Sequence, residues 1–105
     1  MKTINTINEQ QLHTIAQMEI GNAAILFTSP LCGTCKVAER MLEIVAHLGV
    51  PAQLYKANIN FTPYFREQWQ IRSIPALILI KNGKVIEQIY AMNSVDFVYT
   101  KLTSL

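Results

Sequence analysis

Residues 23–36 read AAILFTSPLCGTCK. The run Ala23–Phe27 is apolar at every position, the pattern of a strand covered on both faces rather than one. Ser29–Pro30–Leu31 breaks the run. Two cysteines, Cys32 and Cys35, then open a stretch with helical spacing: Val37, Ala38, Met41, Leu42, Val45 and Leu48 are apolar, and Gly49 closes it as a C-cap. A buried strand that gives way to a helix at a Cys-x-x-Cys pair is the feature from which the rest of the chain is read.

The spacing on either side predicts a regular alternation. Upstream, residues 2–7 form a short edge strand. Asn8 caps a first helix with Gln11 as capping-box partner, and Leu12, Ile15, Ala16, Met18 and Ile20 make its apolar stripe up to Gly21–Asn22. Downstream, residues 52–58 form a third strand. Thr62–Pro63 starts a helix that carries Phe65 and Trp69 and ends near Gln70. Ala76–Ile80 is a second fully apolar strand, and Asn82–Gly83 is a hairpin turn that returns residues 85–90 antiparallel. Ser94 caps a last helix over 95–103. The expected fold is an α/β sheet, parallel in its first part and antiparallel at its end, with helices on both faces.

Bulk properties narrow the function. The chain has 105 residues, enough for one domain with a real core, and half of them are apolar. Nine basic and seven acidic side chains leave a net charge of +2, scattered along the chain, which argues against nucleic acid or an anionic membrane as partner. The longest apolar runs are too short to span a bilayer, and the polar start of the sequence has no signal-peptide core. With only two cysteines there is no disulfide-stapled scaffold. The expectation is a cytoplasmic protein whose cysteine pair does chemistry.

That chemistry follows from position and spacing. Free N–H groups and the helix dipole at a helix N-terminus favour a thiolate on Cys32 and lower its pKa. The two-residue spacer brings Cys35 within reach, so a mixed disulfide on Cys32 is resolved by Cys35. Cys32 is expected to be the exposed attacker, Cys35 the buried partner, and Gly33 to keep the approach open. Two plainer readings stand beside this one. The pair is half of a zinc site, but structural zinc takes four ligands and His13 and His47 are not at ligand spacing. Or it is a dormant pair in a binding protein. The redox reading is favoured, and it needs neither metal nor cofactor.

The chain also resembles the thioredoxin family. The likeness rests on Ile25-Leu26-Phe27 leading into Cys32–Lys36, on Lys56-Ala57-Asn58-Ile59-Asn60, on Ile71-Arg72-Ser73-Ile74-Pro75, and on Lys81-Asn82-Gly83-Lys84. The resemblance implies a single thioredoxin-fold domain over residues 1–105. Cys32 would be the nucleophile, Cys35 the resolving thiol, and Pro75 a cis proline beside the pair. It further implies a substrate segment bound against Ile74, Pro75, Leu31, Gly33 and Thr34, with Ile74 offering its backbone as one added strand. The partners implied are disulfide-containing proteins and a thiol or disulfide reductase as electron donor, with the protein itself a monomer. Several positions depart from the family. A buried Asp is replaced by Leu26, so Cys35 is expected either to deprotonate slowly or to be assisted by water or Lys56. Lys36, which directly follows the motif, is a candidate to steer partners or help stabilise a thiolate, and an essential role for it is the less favoured reading. Gly33-Thr34 replaces Gly-Pro, which implies a reduction potential different from thioredoxin's. Tyr90 stands where a glycine is usual and is expected to narrow the substrate groove. The alternative function is a thioredoxin-like adaptor with a dormant Cys pair.

Overall fold

Apolar residues on both faces of a strand need a layer of helices on each side, and the molecule is built that way. The computed structural model describes residues 4–105. Its elements run β1 (Asn5–Thr6), α1 (Glu9–Ala16), β2 (Asn22–Thr28), α2 (Gly33–Leu48), β3 (Gln53–Asn58), a 3-10 turn (Ile59–Phe61), α3 (Pro63–Gln68), β4 (Ala76–Lys81), β5 (Lys84–Ile89) and α4 (Val95–Thr103). The sheet has five strands in the order β1-β3-β2-β4-β5. β1, β3 and β2 are parallel, while β4 and β5 join antiparallel. This is the mixed sheet expected. Among the described residues its first strand covers Asn5 and Thr6 of the 2–7 segment. Residues 2 and 3 of that expected strand lie outside the described residues.

β2 is central and divides two cores. Its side chains alternate with the two-residue period of a strand. Ile25 and Phe27 face a core completed by Leu12 and Ile15 of α1 and Phe65 of α3. Ala24 and Leu26 face the other core, with Leu42 of α2 and Val98 of α4. In α2 the buried stripe is Cys35, Ala38, Leu42 and Val45. Val37 and Leu48, expected in that stripe, are 58% and 59% exposed.

Two helices stop earlier than the spacing suggests. The Asn8–Gln11 capping box is present, with Gln11 N–H donating to Asn8 Oδ1 at 2.9 Å and Asn8 N–H to Gln11 Oε1 at 2.8 Å. α1 nevertheless ends at Ala16, and Met18 and Ile20 are exposed. The physical reason lies across the sheet. Gly21 donates its N–H to Asn82 Oδ1 at 3.0 Å and accepts the Asn82 N–H at 2.8 Å, so the chain leaves the helix in time to lie against the β4–β5 turn. α3 ends at Gln68, and Gln70 takes φ 51°, which turns the chain toward Ile71.

The β4–β5 turn has Asn82 at φ 53° and Gly83 at φ 82°, both left-handed as its tight hairpin demands. A Cβ on Gly83 would lie 2.7 Å from the Met18 carbonyl oxygen and 2.9 Å from that of Ala16. Gly83→Ala combines backbone strain with a clash against main chain, and we expect a loss of about 1–3 kcal/mol, read from the denaturant midpoint.

Candidate active site

Ser29, Pro30 and Leu31 carry the chain from β2 to α2, and the Cys32 N–H donates to the Ser29 carbonyl at 3.1 Å to set this turn. Cys32 is the N-cap of α2, with extended backbone at φ −95°, ψ 108°. Its Sγ accepts the Cys35 N–H at 3.2 Å, satisfying one of the free donors of the helix start. Cys32 and Cys35 are joined in a disulfide with Cα atoms 5.2 Å apart. A disulfide sulfur carries no hydrogen, so in the 3.4 Å contact between Thr34 Oγ1 and Cys32 Sγ the hydroxyl donates. Two donors from the first turn of α2 therefore point at the Cys32 sulfur.

The two cysteines differ in burial. Cys35 is 2% exposed, in the α2 stripe that packs on the sheet. Cys32 is half-buried, with Leu31 beside it fully exposed. A Cβ on Gly33 would meet no atom within 4 Å, so the approach to Cys32 is open there.

The Ile74–Pro75 peptide bond is cis. Ile74 and Pro75 line a groove of ≈ 440 Å³ together with Thr34, Val37, Met41 and Tyr90. The structure thus gathers Thr34, Ile74 and Pro75 on one groove, while Leu31 and Gly33 stand outside its walls at the start of α2. Val37 has core spacing and instead forms a wall of the groove. Tyr90 is held in place: its hydroxyl donates to Gln88 Oε1 at 2.9 Å and accepts the Arg72 N–H at 3.3 Å. The tyrosine thus stands as a fixed wall.

Behind the pair, Leu26 is wholly buried. Lys56 pairs with it across β2 and β3, so the lysine rises from the face that α2 covers. Its Nζ forms an ion pair with Oε1 of Glu39 on α2. Glu39 is a residue that sequence reasoning missed. The available signal is its place four residues after Cys35, on the face that Lys56 points toward. Lys36 is exposed and shares a cleft with Cys35, Glu39 and Lys56. Among the described residues no three His, Cys, Asp or Glu side chains gather into a group that could hold a metal ion. No helix among them is long and apolar enough to cross a membrane.

The family model described as Thioredoxin matches residues 3–103. The chain is 34% identical over 93 residues to the thioredoxin-like protein YusE of Bacillus subtilis, covering 89% of this chain and 88% of that protein. It is 34% identical over 76 residues to a thioredoxin of Chlamydia trachomatis, covering 72% of this chain and 74% of that one. Among solved structures, a point mutant of a thioredoxin from Halobacterium salinarum superposes with a TM-score of 0.85 at 17% identity, over 97% of this chain and 89% of that one.

Proposed function

The chain belongs to the thioredoxin family, and from that premise we propose that it is a protein thiol–disulfide oxidoreductase working through Cys32 and Cys35. The observation that carries this reading is the Cys32 sulfur at the start of α2, receiving N–H and O–H donors and bonded to a buried Cys35. In the reduced protein the same donors and the helix dipole favour a thiolate there. The thiolate attacks a substrate disulfide, forms a mixed disulfide and releases one substrate thiol. Cys35 then attacks the Cys32 sulfur and releases the other. Substrate gains two electrons and the cysteine pair loses them, so no cofactor is needed. The pair is re-reduced by a thiol or a disulfide reductase.

An extended substrate segment lies in the groove between Pro75 and α2, with main-chain contacts at Ile74 and apolar contacts at Val37 and Met41. Leu31, Gly33 and Thr34 frame the attacked sulfur. One domain over residues 1–105, acting as a monomer in the cytoplasm on disulfide-containing proteins, is the setting this chemistry suits.

Insulin reduction by dithiothreitol tests the reading. We expect the protein to accelerate precipitation of the insulin B chain at catalytic concentration. A folded protein with two titratable thiols that gives no acceleration would instead identify an adaptor that uses the groove without turnover.

A further inference from the structure

Resolution of a mixed disulfide requires Cys35 to surrender a proton, and a thiol buried among apolar groups holds its proton more tightly than a free one. Cys35 is 2% exposed. β2 offers no carboxylate to take that proton: Ala24 and Leu26 are aliphatic and fully buried, and Thr28 brings only a hydroxyl. A cleft of ≈ 240 Å³ does reach it, on the side away from the Pro75 groove, and Lys36, Glu39, Lys56 and Asn58 are among its walls. This is room for several waters.

Within that cleft one group accepts a proton. Glu39 follows Cys35 by four residues, so the two side chains rise from neighbouring positions on one face of α2. Its carboxylate is held by Lys56, which reaches across from β3, and the two side chains are only 28% and 24% exposed. The charged groups that share the cleft wall with Glu39 are Lys56 from β3 and Lys36 from α2, and Glu43 follows one turn further along α2. β1 and β2 contribute only Thr6 and Thr28 to the cleft wall.

The geometry points to Glu39 as the base that takes the Cys35 proton through water in this cleft, with Lys56 as the positioning residue. The inference rests on the redox reading above. With substrate joined to Cys32, the proton of Cys35 passes to the Glu39 carboxylate. The Cys35 sulfur attacks the Cys32 sulfur, the Cys32–Cys35 bond forms and the bond to substrate breaks. The electron pair leaves on the substrate sulfur, which is protonated by solvent, and Glu39 returns its proton to water. When the pair is reduced by its donor, the same carboxylate delivers a proton to Cys35.

Stopped-flow reaction of the fully reduced protein with excess dithiobis(nitrobenzoate) separates the two steps, since attack by Cys32 and resolution by Cys35 each release one coloured thiolate. Glu39→Gln is expected to leave the first phase within about twofold of wild type and to slow the second at least about tenfold. The low-pH limb of the second phase should flatten in this variant and return in Glu39→Asp, which keeps the carboxylate. A second phase in Glu39→Gln with wild-type rate and pH profile overturns the proposal. So does equal slowing of both phases, or slowing that Glu39→Asp does not relieve, because either marks a packing defect. Absence of both phases in the wild-type protein would count against the redox reading itself, and so is told apart from failure of the Glu39 role.

Discussion

Cys32→Ser is expected to abolish disulfide turnover, by on the order of a thousandfold or more, while the reduced protein stays folded. The attacking species is a sulfur anion, and a serine hydroxyl is neither ionised at neutral pH nor able to exchange with a disulfide. The substitution is mild for structure because serine is itself a favoured N-cap and its Oγ can accept the Cys35 N–H that the sulfur accepts now. Cys35→Ser gives the complementary result. Attack by Cys32 proceeds, resolution does not, and the protein accumulates as a covalent adduct with its substrate. Intact-protein mass spectrometry should show the adduct with Cys35→Ser, its loss on adding dithiothreitol, and no adduct with Cys32→Ser. Adducts that form equally through either cysteine would overturn the assignment of roles.

The second large effect is on stability. Phe27→Ala is expected to cost about 3–5 kcal/mol, a substantial part of the roughly 5–15 kcal/mol that holds a domain together. Phe27 is wholly buried in the central strand, between Ala57 of β3 and Ala76 of β4. Its ring meets Trp69 edge-on at 6.1 Å, and its small strand neighbours cannot expand to fill the space it leaves. Urea unfolding monitored by Trp69 fluorescence measures the loss directly. A midpoint within experimental error of wild type would mean that the site collapses around the smaller residue.

Much of this architecture is legible in the sequence because its causes are local or periodic. The fully apolar runs at 23–27 and 76–80 require cover on both faces, and they form β2 and β4 with a helical layer on each side. Asn8, Asn82–Gly83 and Ser94 announce their turns and caps by side-chain chemistry alone. The cysteine pair announces itself by spacing and by its place between strand and helix. What escapes depends on contacts between distant segments. Met18 and Ile20 continue a plausible helical stripe, and only the Gly21–Asn82 hydrogen bonds show that the helix has already ended. Val37 has the right spacing for a core position, yet it is mostly exposed and lines the groove that Ile74 and Pro75 also line. Lys56 is visible as an odd inward lysine. Its partner is not, because Glu39 lies on another element and only the register Leu26↔Lys56 reveals which helix the lysine reaches.

Because one sulfur both closes the first turn of α2 and is the atom that changes oxidation state, electron affinity and folding free energy are two sides of a single thermodynamic cycle. Any change at that helix start that favours the dithiol chain over the disulfide chain by about 1.4 kcal/mol must raise the midpoint potential by about 30 mV. Calorimetry of the two forms and a redox titration would then return the same number, and the helix start becomes a place where potential can be set without touching the groove.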